Sequence, residues 1–268
     1  MIKVHVFHTG SVKVDQAIPL HEKNPLAVTG FLRGKTKKRI FPVSCYLIEH
    51  PKGKILIDTG WDTKFAKERP KEWFGLVDKI SGPIIQEDEG IDTKLAKLGY
   101  EDKDMDAIYL SHMDFDHTSG LRLVRNASAV FASKEELADA KKSKFRYIDT
   151  WTGICNIKEF EYMNTGIGPV KKSFDVFGDG TVVLISIPGH SHGLFAVRIS
   201  NHEKYLILAN DGAYLQDSFD KKIIPGFTVD KELAKKSLQW LCECRKDENC
   251  LGVIANHDPS VKEQVIEL

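Results

Sequence analysis

The sequence predicts an α/β fold of layered sheets and helices, carried by one domain over residues 1–268. Two observations set the class. Strand-like and helix-like segments alternate along the chain, and no Pro/Ser-rich linker or low-complexity run divides it. A third sets the theme of the molecule: several apolar strand-like runs end in a histidine or an aspartate.

The segment Met1-Ile2-Lys3-Val4-His5-Val6 alternates like a strand and lacks the longer apolar core of a signal peptide. Residues Phe41 to Glu49 and Lys54 to Asp58 are two β-rich runs joined by His50-Pro51-Lys52-Gly53, a hairpin by turn chemistry, and the second ends in Asp58-Thr59-Gly60. The run Ala107-Ile108-Tyr109-Leu110 reads as a buried strand, and a helix is suggested from Thr118 to Val124. Ser133 is placed to cap a helix running through Lys142, with Glu136 at the capping-box position. Three strands follow. Thr181–Ile187 leads into Pro188-Gly189-His190, Tyr205–Asn210 into Asp211-Gly212, and Gly252–Asn256 into His257-Asp258-Pro259. A last helix spans about Lys231 to Arg245, with Leu233, Leu238 and Leu241 on one face.

Composition narrows the function classes. Lys plus Arg and Asp plus Glu each total 38, a formal net charge of zero, which gives no footing for a nucleic-acid-binding face. The basic run Arg33-Gly34-Lys35-Thr36-Lys37-Lys38-Arg39 reads as a solvated loop ahead of an anion- or RNA-binding patch. No stretch has the length needed to span a bilayer, so a soluble, cytoplasmic protein without membrane partners is expected. Five cysteines, three of them at Cys242, Cys244 and Cys250, fit reduced thiols. Cys-Glu-Cys on a helix points its two sulfurs to different faces, which argues against a zinc site there.

The chemistry concentrates behind the strand at 107–110. Ser111-His112-Met113-Asp114-Phe115-Asp116-His117 packs four metal-capable side chains into six positions, and imidazole with carboxylate is the ligand set of a hydrolytic metal centre. On an extended segment alternate residues point the same way, so His112, Asp114 and Asp116 are expected to converge. His117 breaks the alternation, so the chain must bend there and can aim it at a second ion. His190, Asp211 and His257 at later strand ends supply what a two-metal site still needs.

These residues resemble the metallo-β-lactamase superfamily, whose hallmark is His-x-His-x-Asp-His followed by a His, an Asp and a His. Phe115 before Asp116, the Gly189-His190-Ser191-His192-Gly193 segment and Tyr214 three residues after Asp211 are most similar to the N-acyl homoserine lactonase branch. The resemblance implies a four-layer αββα sandwich and two divalent transition-metal ions, zinc foremost. It implies one ion on His112, Asp114 and His190, the other on Asp116, His117 and His257, with Asp211 bridging and Asp58 supporting. The departure is Asp114, where hydrolytic members carry histidine; its carboxylate hardens the site toward manganese or iron. The implied activity opens a lactone or cleaves a related ester in a small-molecule substrate, with Asp116 shuttling a proton and Tyr214 stabilising the oxyanion. Alternatives are hydrolysis of a thioester or phosphodiester, a diiron-type oxidoreductase related to flavodiiron proteins, whose flavodoxin module has no room before Leu268, and metal binding without catalysis. His192 is expected outside the ligand set, in an outer-shell hydrogen bond. The aromatics Trp61, Phe65, Trp73, Phe74, Phe145, Tyr147 and Trp151, with Met163, are expected to be mostly core, with an acyl pocket as the other use.

Overall fold

The computed structural model of the chain describes residues 1–24, 26–30, 32–69, 80–143 and 146–268. Fourteen strands among them form two sheets. The first holds β1 (Lys3–Asp15), β2 (Lys38–His50), β3 (Gly53–Ile57), β4 (Ser81–Ile84), β5 (Ala107–Leu110), β6 (Val130–Ser133), β7 (Ile157–Phe160) and β14 (Gln264–Glu267), in the order β14-β1-β2-β3-β5-β6-β7 with β4 beside β1. The second holds β8 (Met163–Asn164), β9 (Lys172–Asp175), β10 (Val182–Ser186), β11 (Phe195–Asn201), β12 (Lys204–Leu208) and β13 (Cys250–Ile254), in the order β13-β12-β11-β10-β9-β8.

Side-chain alternation explains the layering. Along β5, Ala107 and Tyr109 face the second sheet while Ile108 and Leu110 face outward, and both sets are buried. A strand covered on both faces needs an unbroken apolar run, which is what the sequence has there. In β10, Val182 and Leu184 meet the first sheet, and Val183 and Ile185 turn to the outer layer. The outer layer on the first sheet is α1 (Ile91–Lys97), contributing Ile91 and Leu95; on the second it is α5 (Lys231–Cys244), contributing Ala234, Leu238 and Leu241. The result is the αββα order.

The hairpin between β2 and β3 forms as its turn residues require, pairing Tyr46 with Ile57 and His50 with Gly53 around Pro51-Lys52. The α5 helix face differs slightly from the sequence expectation: Leu233 is only half-buried, and Ala234 takes the contact instead. A Cβ on Gly189 would lie 2.3 Å from the Ala234 backbone, so the loop carrying His190 sits directly on α5.

Strand direction positions the site. β3 runs parallel to β5, and β12 parallel to β13, while β10 shares the β12 direction through the antiparallel β11 between them. The C-terminal ends of these strands therefore discharge Asp58, Ser111-His112, His190, Asp211 and His257 toward one rim. The chain bends earlier than the alternation suggested. Phe115–Thr118 is already a helical turn, α2, with Asp114 at its N-cap, and it runs into a 3-10 turn at Ser119–Val124. Gly120 lets that turn press on the Asp58-Thr59-Gly60 loop, where a Cβ would lie 2.2 Å from the Thr59 carbonyl oxygen.

Candidate metal centre

Two groups of metal-capable side chains form at the rim. The donor atoms of His112, His190 and Asp211 lie within 4.8 Å of one another, and so do those of Asp116, His117 and His257. The helical turn corrects the spacing argument. Asp116 is not on an extended strand with His112 and Asp114 but beside His117, its Oδ2 3.8 Å from His117 Nε2 and 4.0 Å from His257 Nε2. Asp211 lies between the groups. Its Oδ2 is 3.7 Å from Nε2 of both His112 and His190, and its Oδ1 is 3.4 Å from His117 Nε2 and 3.1 Å from His257 Nε2.

Each histidine is held from behind. His117 Nδ1 donates to Asp58 Oδ2 at 2.8 Å, and the same oxygen accepts from the Ser111 hydroxyl at 2.7 Å. With its proton committed to that carboxylate, the Ser111 oxygen accepts from His112 Nδ1 at 3.0 Å. His190 Nδ1 donates to the Phe227 carbonyl and His257 Nδ1 to the Pro42 carbonyl, both at 2.7 Å. Every Nδ1 thus carries its proton away from the site, and in the neutral rings every Nε2 presents a lone pair to it, the arrangement that orients imidazole ligands. The Nε2 atoms of His112 and His117 are buried with no hydrogen-bond partner. Leaving such atoms unpaired is costly, and a divalent cation between these rings and carboxylates is the group they fit.

The charges agree. Burial would lower the His117 pKa, yet Asp211, Asp58 and Asp116 raise it well above its usual value. Burial would raise Asp211, yet His257 and His117 hold its carboxyl well below the usual range. The pocket carries a surplus of carboxylate that calls for positive charge.

Asp114 reaches the first group, its Oδ2 3.4 Å from His112 Nε2 and 3.0 Å from His190 Nε2. Both of its oxygens are also taken by Arg146, Nε to Oδ1 at 2.7 Å and Nη2 to Oδ2 at 2.8 Å. Tyr214 is buried, stacked on His257 at 4.7 Å and edge-on to His190 at 5.8 Å. Burial first, then the negative charge of Asp211, pushes its phenol far above the usual value, so it stays a donor. The outer-shell hydrogen bond expected of His192 does not form: its ring lies at the surface and pairs with Asp139, which is not among the site residues.

Three contributors escaped the sequence reading. Arg146 lies 32 positions from its carboxylate partner, with no local pattern to mark it. Glu136 is fully buried and does not close a capping box. Ser133 Oγ accepts from its amide, but its own carboxylate turns inward to accept from Met113 N at 2.9 Å and Gly193 N at 3.0 Å, tying together the two loops that carry His112 and His190. Asn256 donates from Nδ2 to Asp211 Oδ1 at 3.1 Å and accepts from the Tyr46 hydroxyl. Asp58 supports the site as the resemblance implies, and its backbone is left-handed there (φ 60°). Adjacency of Asn256 to His257 was the one available signal.

Elsewhere, Trp61 and Phe65 pack with Phe115 in a buried cluster, Tyr147 is buried, Trp151 is half-buried and Met163 is exposed. Trp73, Phe74 and Phe145 lie outside the described residues. Arg33 of the basic run is an internal clip to Asp15 and Glu22. The cysteines are free, and among the described residues none joins a group of metal-capable side chains. No helix of the described residues is long and apolar enough to cross a membrane.

Comparison with known proteins bears on this geometry. The family described as the Metallo-beta-lactamase superfamily matches residues 39–241. The chain is 29% identical over 231 residues to the N-acyl homoserine lactonase AttM of Agrobacterium fabrum, covering 81% of this chain and 82% of that protein. It is 28% identical over 222 residues to the N-acyl homoserine lactonase AiiA of Bacillus thuringiensis subsp. kurstaki, covering 81% of each. A solved N-acyl homoserine lactone hydrolase, with N-hexanoyl-L-homoserine bound at its catalytic metal centre, superposes over 98% of both chains with a TM-score of 0.77 and 26% identity.

Proposed function

The chain belongs to the metallo-beta-lactamase superfamily and is a metal-dependent hydrolase, and from that premise we propose that it opens the ring of a lactone, with an acyl homoserine lactone as the leading substrate class. The observation that carries the reading is the set of four imidazoles, each fixed through Nδ1, whose Nε2 atoms converge on the two oxygens of Asp211. His112, His190 and Asp211 Oδ2 would hold one divalent ion, with Asp114 at its edge. Asp116, His117, His257 and Asp211 Oδ1 would hold the other. Zinc suits this donor set.

When bound, such a pair supplies Lewis-acid polarisation of a carbonyl and water activation at neutral pH. The residues of the chain do the rest. Tyr214, protonated and buried at the rim, donates to the carbonyl oxygen as it gains negative charge. Asp116 is about as exposed as Asp114 but, unlike it, pairs with no lysine or arginine among the described residues, so it is the carboxylate open to substrate; it takes the proton of the attacking water and passes it to the departing ring oxygen. Phe115, at the start of the turn that carries Asp116 and His117, packs with Trp61 and Phe65 in a buried cluster that anchors this turn. Asp58, Ser111 and Asn256 hold the donors in place.

The test is elemental analysis combined with a substrate screen. Metal-loaded protein is expected to hold near two transition-metal ions per chain and to turn over lactones in preference to thioesters and phosphodiesters. His117→Ala is expected to lose metal and His192→Ala to keep it. A stoichiometry at or below one after reconstitution rejects the binuclear reading, and turnover confined to thioesters or phosphodiesters rejects the lactone assignment.

A further inference from the structure

We infer that Arg146 is a built-in competitor for the ion that His112 and His190 would hold, so that the two halves of the centre load with unequal affinity. The inference rests on the metal-centre reading above.

The guanidinium is held by several partners at once. Besides its fork to Asp114, Nη1 donates to the His190 carbonyl at 2.8 Å, and its Cζ lies 4.9 Å from the ring centroids of both Tyr147 and Phe227. Its side chain is 7% exposed. A preorganised, desolvated fork of this kind is among the strongest carboxylate partners a protein has.

The decisive contact is to His190. Arg146 Nη2 lies 3.1 Å from His190 Nε2, and Asp114 Oδ2 lies 3.0 Å from the same atom. Since the Phe227 carbonyl can only accept, His190 Nδ1 is the protonated nitrogen and Nε2 of the neutral ring carries the lone pair. Of these two neighbours only the arginine can donate to that lone pair. An ion on His112, His190 and Asp211 must take Nε2 from Arg146 and bear the nearby positive charge. The other half has no such rival: Asp116, His117, His257 and Asp211 make no ion pair with any lysine or arginine among the described residues. The same pair alters the meaning of Asp114. Asp114 and Arg146 together are neutral, like the imidazole that hydrolytic relatives carry, so the carboxylate adds no net negative charge to harden the site.

The experiment titrates chelator-stripped protein with Zn²⁺ by calorimetry, with Co²⁺ absorption as a spectroscopic count of each half. The wild type is expected to fill in two steps, the second at least about tenfold weaker, in the range over which outer-shell partners set metal affinity. Arg146→Met should tighten the second step by about 10–100-fold and leave the first unchanged. Arg146→Lys, which keeps the charge and loses the fork, should tighten it less. Asp114→Asn combined with Arg146→Met should retain the gain if competition at His190 is the cause. Two equal steps in the wild type, or a second step that stays put or weakens in both single variants, overturns the inference while leaving the metal centre intact. A wild type that takes up no ion overturns the metal-centre reading itself.

Discussion

Glu136 gives the sharpest prediction because its role can be counted in bonds. The carboxylate is fully buried and accepts one backbone N–H from Met113 and one from Gly193. Glu136→Ala removes both acceptors and leaves two buried backbone donors without the carboxylate that pairs them. Each such orphan costs about 1–3 kcal/mol, so the variant should lose about 2–6 kcal/mol of stability. At about 2 °C per kcal/mol for a chain near this size, the melting midpoint should fall by about 4–12 °C. Glu136→Gln keeps one acceptor and turns its amide N–H toward the other donor, so roughly half the loss is expected. The assay is thermal and urea unfolding of metal-free protein, followed by metal content after reloading. The two tethered loops carry His112 and His190, so the Ala variant should also retain less metal. If Glu136→Ala melts within about 2 °C of the wild type, roughly the shift of 1 kcal/mol, the two hydrogen bonds are not what holds the loops and the reasoning fails.

Three further predictions test separate links. Asp58→Asn removes the carboxylate that orients His117 and Ser111, and should weaken metal binding by about 10–100-fold in a chelator competition; unchanged affinity would mean that packing alone fixes His117. Tyr214→Phe should keep the metal and lower lactone turnover by about 10–100-fold, on the order of one lost oxyanion donor, whereas wild-type turnover would assign Tyr214 to packing. Asp62 supplies a pH test. Burial would raise its pKa, but the hydrogen bonds from Arg122 and from Lys64 N prevail and hold it below the usual value. Its contribution is therefore full above an unfolded-state pKa of about 3.9 and is lost as pH falls through the lower folded value. The stability gap between wild type and Asp62→Asn should be widest near neutrality and shrink below about pH 4; a gap constant with pH would refute the assignment.

The sequence alone determined what depends on neighbours along the chain. The run at 107–110 had to be a strand covered on both faces, the hairpin at 50–53 had to turn, and residues placed just past strand ends had to emerge together once strands of common direction were laid side by side. His112, His117, His190, Asp211 and His257 were legible for that reason. What required tertiary structure is what two distant segments decide jointly. Spacing placed Asp116 with His112, but the helical turn at 115–118, packed on the Asp58 loop through Gly120, moved it to the His117 side. Glu136 satisfies both its local cap rule and a distant pair of amides with one side chain, and only the folded chain shows that its carboxylate chose the distant pair. Asp114 shows the limit most clearly. A carboxylate at that position announces negative charge, but whether the charge reaches a metal or is spent on a cation depends on Arg146, brought to it across 32 positions by packing that leaves no periodic trace in the sequence.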